Sequence, residues 1–482
     1  MAEHNKSHRI THKLVIKGSL ALASPLVMGK GEGEWVDKAI MRLPDGRPYI
    51  PGSAFAGSLR STLQLLGFGT AKNYEWLWGT EMGGKKNKPD ATFQSHLQVY
   101  DLIPESVDAK KITRRDGIRI NEETGVVAEG AKYDYEILEP GVHFPLTLEI
   151  TVRENFNTSK EDLVTLAKAL MATIKHDAFR LGAFTAQGFG RLDAAHSNLE
   201  AFIYDFTNKE HRDAWFAYLE TGETWSTVPE DIKDADLPKT SYPAFQILAT
   251  FRLKSALMIG ASGGAKSDAD KASIQSNGHY VIPGKSIRGA IRQRARRILA
   301  IWKQQGIQLS AADGKDLTSG PFGFVKQDGT NQENAGRGLI RVEEATISKD
   351  AAKPMLQNRI RIDRFTGGVI DGALFNSEPV WTTDKEDLQL TFTMDSFSKV
   401  KDESTQKLYK KLLLMLLKDL WTGDLPIGGE KNIGRGVLQG KKATIIDNNQ
   451  EVAIFTWADE GKTAEALTWT KGKPEDIHAL IA

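Results

Sequence analysis

The chain has 482 residues, 40% of them apolar, no cysteine, and 63 basic against 62 acidic side chains. The missing cysteine excludes disulfide frameworks, zinc fingers, thiolate metal sites and a cysteine nucleophile. A net charge of +1 provides no overall field to gather polyanions, so any nucleic-acid contact has to come from local clustering.

Taken in chain order, Lys13–Leu20 alternates apolar and polar residues as a strand with one buried face. Tyr49-Ile50-Pro51-Gly52 then opens a helix that carries Phe55, Leu59, Leu63 and Leu66 on one side. Lys85-Lys86-Asn87-Lys88 reads as a solvated loop. Arg114–Asn121, followed by Thr124-Gly125, reads as a β-hairpin whose alternation sets charges on one side and apolar anchors on the other. Leu163, Leu166, Leu170 and Ile174 mark a second helix. The glycine-rich Gly182…Gly188-Phe189-Gly190-Arg191 leads into a last strand. Acids and prolines around residues 223–242 suggest a linker.

The order then repeats. Phe245–Phe251 is a strand, and Val281-Ile282-Pro283-Gly284 opens a helix with Ile287, Ile291, Ala295 and Ile298 on one face. Asn358–Arg364 with Thr366-Gly367 is the hairpin, and Leu408, Leu412, Leu416 and Leu420 are the second helix. Gly428…Gly434-Arg435-Gly436 is the loop. The Ile-Pro-Gly turns lie 232 positions apart (51 to 283), the hairpins 242 (118 to 360) and the loops 246 (182 to 428). This is a duplicated domain: residues 1–222 and 243–482, joined by 223–242. Strand, helix, strands, helix, strand is the order of a ferredoxin-like unit, so the fold class is α+β.

Three features could carry chemistry. From Lys285 to Lys303 the second copy's helix has seven basic residues and no acid, with Arg288, Arg292 and Arg296 on one face. Its start after Pro-Gly offers unpaired backbone N–H groups suited to phosphate. The glycine loops let the backbone approach a ligand closely. The basic hairpins would suit a phosphate backbone. No GxxxxGK[ST] motif is present to bind a nucleoside triphosphate, and the first glycine loop does not open a helix after a strand as a dinucleotide fingerprint must.

These landmarks, in this order and twice over, resemble the RAMP superfamily of CRISPR effector proteins, in particular the type III backbone subunit that lines the guide RNA, in the tandem form of type III-D systems. The resemblance implies two ferredoxin-like (RRM-like) domains with insertions and thumb-like β-hairpins. It carries RNA binding onto Ser53, Arg60, Arg119, Gly188, Phe189, Gly190 and Arg191 in the first copy, and onto Lys285, Ser286, Arg288, Arg292, Arg361, Gly434 and Arg435 in the second. The first copy departs from the pattern at Ala56, where a basic residue is usual, and at Ala186-Gln187.

The resemblance also implies cleavage of target RNA by an aspartate between the first strand and the Ile-Pro-Gly turn. Asp37 fills that place in the first copy, and Asp268 or Asp270 in the second. Asp270-Lys271-Ala272 repeats Asp37-Lys38-Ala39. Mg²⁺ or Mn²⁺ held by Asp37 and Asp270 is the implied cofactor. The implied partners are guide RNA (crRNA), complementary target RNA, other backbone subunits and a large polymerase-like subunit. One alternative is a non-catalytic RNA-binding scaffold. Another is a guide-precursor processing nuclease, although His143, His176 and His279 sit in no recognisable catalytic setting. No uncharged apolar run approaches the ~20 residues of a membrane span, and Met1–Lys6 lacks the apolar core of a signal peptide, so a cytoplasmic protein is expected.

Overall fold

The computed structural model describes residues 9–31, 36–68, 75–79, 94–121, 124–154, 158–222, 231–232, 237–238, 244–261, 269–307, 317–325, 335–383, 387–394, 400, 402–457 and 467–481. Lys85–Lys88, Asp268 and most of the 223–242 segment lie outside the described residues. The chain divides into two compact units. The first comprises Met1–Thr113, Glu136–Ala183 and Gly190–Tyr242. The second comprises Pro243–Ala482 together with Arg114–Tyr135 and Phe184–Phe189.

The principal elements of the first repeat are β1 (Ile10–Leu22), α1 (Gly52–Leu65), β2 (Leu97–Val99), β3 (Ile112–Gly117), β4 (Tyr133–Leu138), β5 (His143–Arg153), α2 (Lys160–Lys175), β6 (Leu192–Asp205) and α3 (Lys209–Thr221). The main sheet of the first unit has the order β2-β5-β1-β6, with the two-residue strand Asp231–Ile232 added beyond β6. β5 sits between the two strands that α1 connects. This is the split βαβ arrangement of a ferredoxin-like fold, and every pairing in the sheet is antiparallel.

Period-2 patterning sets the register. Leu14 lies opposite Ile150 and Ile203, and Ile16 opposite Leu148 and Ala201, so one face of the sheet is continuously apolar. Phe55, Leu59 and Leu63 of α1 and Leu163, Leu166, Leu170 and Ile174 of α2 close over that face. α2 starts at a capping box, in which Ser159 accepts from Asp162 N–H and the Asp162 carboxylate accepts in return.

The opposite face is also covered. Val15, Phe202 and Tyr204 pack under Trp215 and Tyr218 of α3, and the Lys13 and Lys17 ammonium groups lie 5.0 and 4.7 Å from the Trp215 and Tyr218 ring centroids. α3 carries no strong apolar periodicity and buries only His211, Trp215 and Tyr218. It closes the sheet face that an RRM-like platform would leave open to RNA.

The second unit repeats the plan with β7 (Phe245–Leu253), β8 (Lys271–Ser273), α4 (Gly284–Gln304), β9 (Ile340–Val342), β10 (Gln357–Ile362), β11 (Val369–Glu378), β12 (Leu388–Met394), α5 (Glu403–Thr422), β13 (Leu438–Asp447), β14 (Gln450–Trp457) and β15 (Leu467–Lys471). Its sheet order is β9-β12-β7-β13-β14-β15. The first four strands have the same ferredoxin-like order, and two meander strands extend the edge. β7 alternates between buried and half-buried along its whole length. Ile247 faces Phe392 and Ile445, and Ala249 faces Leu390 and Ala443. Ile287, Ile291, Ala295 and Ile298 of α4 and Leu412, Leu416 and Leu420 of α5 cover its apolar side, as the spacing predicts.

β10 and β11 form a hairpin apart from the main sheet, and β8 pairs with β11 in parallel. One expectation fails here. The apolar residues of the hairpin are not anchors: Ile360 and Ile362 are 51% and 57% exposed, paired across the strands with Leu374 and Val369, themselves exposed. Among the described residues these strands are largely exposed on both faces, so alternation sorts the side chains by face without burying either.

Candidate nucleic-acid interface

Corresponding loops hold the candidate aspartates in the two repeats. Lys38, next to Asp37, accepts the Glu136 N–H of β4 at 2.9 Å. The Glu136 carboxylate in turn accepts the Ile40 N–H and pairs with Arg42. In the second unit Lys271 and Ala272, which follow Asp270, pair with Ser377 and Glu378 of β11. Glu136 and Glu378 stand at the hairpin spacing of 242. Each aspartate is exposed and immediately precedes the residues that pair with the strand returning from its hairpin. Asp268, the other candidate, lies outside the described residues.

Asp270 has a further partner that lies far from it in the chain. Its carboxylate accepts the Asn376 N–H of β11 at 2.9 Å, and its own N–H donates to the Asn376 side-chain oxygen at 2.5 Å. This reciprocal pair spans 106 residues, so neither composition nor local spacing could reveal it. In the first repeat the position of Asn376 is taken by Asp134, which forms an ion pair with Arg114.

The hairpin of the second unit ends in a turn that Asp363 organises. Its carboxylate accepts the Phe365 and Thr366 N–H groups at 2.7 and 2.9 Å, and these bonds hold its pKa below the usual carboxylate range. Phe365 at the tip is 99% exposed, flanked by Arg364 and, on β10, by exposed Arg361. Arg119, the counterpart of Arg361, is also exposed, as are Ser53 at the start of α1 and Arg191 after the first glycine loop; Arg60 is half-exposed.

The two glycine loops share one backbone. Phe184 and Glu430 both adopt the left-handed region (φ 60° and 58°), as do Gly188 and Gly434 (φ 89° and 81°). A non-glycine residue there costs about 1–2 kcal/mol, and each repeat offsets this cost differently. Phe184 packs its ring against Tyr135 and Phe189. Glu430 instead pairs with Arg359 at 3.1 Å and with Arg435.

Of the loop residues expected to bind RNA, Gly188, Phe189, Gly190 and Arg435 turn inward, while Arg191 and Gly434 stay exposed. Phe189, at 1% exposure, lies beneath the Arg115 guanidinium. Arg435, at 5%, donates to Gln357 and Ser377 at the hairpin base. Gly190 is buried, and any Cβ there would meet the Leu181 carbonyl, so glycine is required. Gly188 is buried, and Gly434 is exposed.

The basic helix is also largely committed to the protein. Arg288 donates to the Phe322 carbonyl at 2.7 Å and the Ile340 carbonyl at 3.3 Å, and burial together with neighbouring Arg292 pushes its pKa down to about 10. It remains cationic at neutral pH. Arg292 donates to Thr318, and Arg294 pairs with buried Asp419 at 2.6 Å. Lys285 donates to the Tyr133 hydroxyl and lies 4.1 Å from that ring's centroid; Ser286 beside it is half-buried. The helix itself has no acid, and its cations are met instead by backbone carbonyls, hydroxyls and the single carboxylate of Asp419 from distant segments.

Among the described residues no three acidic or histidine side chains converge as a metal cage. An exposed single carboxylate nevertheless fits Mg²⁺ or Mn²⁺, because such ions take one or two protein oxygens and fill the remaining positions with water and substrate phosphate. No described helix is long and apolar enough to cross a membrane.

Compared with known families, the chain matches the RAMP superfamily over residues 19–193 and 250–439, one stretch in each repeat. No curated protein matches it.

Proposed function

Since the chain belongs to the RAMP superfamily, whose members are CRISPR-associated RNA-binding subunits, we propose that it binds guide RNA along its phosphate backbone in a type III effector complex, of the III-D tandem kind, and cleaves the paired target RNA once per repeat. The observation that carries this reading is the shared placement of Asp37 and Asp270. Each is an exposed carboxylate on a loop tied to the strand returning from a hairpin. Guide pairing supplies sequence specificity, so the protein needs only backbone contacts.

In this reading Arg119, Arg361 and Arg364 contact phosphate from the two hairpins. Phe365 presents an exposed ring on which a displaced base can stack, an interaction worth about 1–3 kcal/mol. Displacing a nucleotide frees its 2′-hydroxyl to approach in-line geometry. Asp37 and Asp270 would hold the divalent ion, which when bound supplies charge stabilisation at the reacting phosphate. Asn376 keeps the Asp270 carboxylate in place.

Two results test the RNA contacts. Arg361→Ala and Arg119→Ala should each flatten the salt dependence of RNA affinity by about one unit of log–log slope, uniformly across sequences. Unchanged slopes in both would remove the hairpins from the interface. Asn376→Leu removes the acceptor for the Asp270 N–H and should slow one of two cuts by about 10–100-fold, the usual cost of losing a positioning partner. RNA affinity and the other cut should be unaffected, and Asn376→Asp, which keeps an acceptor there, should restore much of the rate. Equal loss at both positions would indicate a general folding defect.

A further inference from the structure

The base of the second unit's hairpin and the glycine loop beside it are joined by a buried polar network that ends one residue from the partner of Asp270. Ser377 of β11 is its hub. It is fully buried and pairs with Gln357 of β10 on one side and with Lys271 of β8 on the other, so three strands meet there. The Arg435 guanidinium reaches this junction from the loop, donating to the Gln357 side chain at 2.5 Å and to the Ser377 hydroxyl at 3.4 Å.

Glu430 holds that arginine from the loop's other end. Its carboxylate pairs with Arg435 and, at 3.1 Å, with Arg359 of β10. Its backbone stays in the left-handed region at φ 58°, which a non-glycine residue keeps only where its surroundings hold it. Asn376, which precedes Ser377 on β11, donates its N–H to the Asp270 carboxylate and accepts the Asp270 N–H on its side-chain oxygen. The pairing of Lys271 with Ser377 ties the residue after Asp270 to the same junction. A shift of Ser377 therefore moves both attachments of the Asp270 loop together. Buried polar networks of this kind rigidify the groups that they join. The first repeat has no ionic counterpart: Phe184, Phe189 and Tyr135 stand at the positions of Glu430, Arg435 and Ser377, and their rings pack together.

We propose that Arg435 is a positioning residue for Asp270, acting through Ser377 and Asn376 without touching RNA, and that Glu430 supplies the charge that keeps it in place. The second repeat's cut then depends on an ion-paired network that the first repeat's cut does not share. This role rests on the cleavage reading only for the existence of the cuts.

Arg435→Met removes the guanidinium fork and keeps much of the bulk. In the assembled complex it should slow the Asp270-dependent cut by about 10–100-fold, the range for a lost positioning partner, and raise the Mg²⁺ concentration that gives half the maximal rate. The other cut should keep its rate. RNA affinity should keep its salt dependence, whereas losing a phosphate ligand would flatten the log–log slope by about one. Arg435→Lys, which retains a cation for Glu430 but no fork, should fall between the methionine variant and the wild type. Hydrogen exchange at the Asn376 and Lys271–Ser273 amides should quicken in Arg435→Met while α5 stays protected, the mark of a local change. An unchanged Asp270-dependent cut, a flattened salt slope, or equal loss of both cuts in the lysine variant would each overturn the proposal. If the wild-type complex makes no cut, the cleavage reading fails. Exchange at the Asn376 amide then decides the positioning role alone, and an unchanged rate there overturns it.

Discussion

Replacing Asp37 with asparagine should abolish one metal-dependent cut in a guide-paired target RNA, and replacing Asp270 should abolish the other. Asparagine keeps the size and a hydrogen-bonding oxygen but removes the charge that draws a divalent ion. The loss should therefore appear in rate and not in RNA affinity. Electrostatic stabilisation of several kcal/mol is at stake, and about 3–4 kcal/mol corresponds to a drop of roughly 10²–10³-fold. Asp270→Asn retains an acceptor for the Asn376 N–H, so the hairpin contact survives and the two roles separate. The measurement is single-turnover cleavage of labelled target by the assembled complex across a Mg²⁺ or Mn²⁺ series. Loss of one product with each single variant and of both with the double variant supports one site per repeat. Unchanged cleavage in all three makes both aspartates structural and leaves the chain an RNA-binding scaffold.

The second large effect concerns stability. Arg115 and Glu344 are 2% and 7% exposed and pair through two hydrogen bonds, with the guanidinium also over Phe189. Removing one partner takes the bidentate counter-ion from a buried charge, a loss that typically costs about 3–5 kcal/mol. For a unit of this size each kcal/mol moves the midpoint by roughly 2–4 °C, so Arg115→Leu should lower the second unit's melting transition by about 6–20 °C. Glu344→Leu should do the same. The double substitution should recover most of the loss, since two apolar side chains leave no unpaired charge. Calorimetry of the four proteins decides it. If the double variant melts no higher than either single one, the destabilisation comes from lost packing and not from stranded charge.

The repeats accommodate one loop backbone through exchanged chemistry. At the hairpin base and in the loop, the first copy has Arg115 and Phe189, and the second has Gln357 and Arg435. Each combination contains one arginine, donated from opposite sides of the same contact. Read singly, Arg435 looks like a phosphate ligand between two glycines. Read against its counterpart, it is the other solution to a packing problem. The same comparison distinguishes Gly188, buried on backbone, from Gly434, which faces open space.

The elements with strong periodicity were legible. The β1 and β7 strands, the helices α1, α2, α4 and α5, the Pro-Gly openings and the order of the ferredoxin-like plan all follow from patterns of period 2 and 3.6 that any core-facing element must show. The duplication was legible because corresponding residues must satisfy the same backbone twice. α3 was missed because it packs on a second, smaller cluster of aromatic residues and carries only Trp215, Tyr218 and His211 as buried positions.

By itself, the sequence determined the two-copy α+β architecture, the superfamily and the loop that offers Asp37 and Asp270. Those are consequences of local pattern and of short motifs with fixed backbone demands. Only the tertiary structure decided which charges stay available. It committed Arg288, Arg435 and Lys285 to carbonyls, carboxamides and a tyrosine, left Arg119 and Arg361 exposed, tied Asp270 to Asn376, and exposed the hairpin's apolar face. The reason is physical: whether a cation is free depends on acceptors brought to it from segments tens to hundreds of residues away, and desolvation enforces that pairing wherever the chain closes over it.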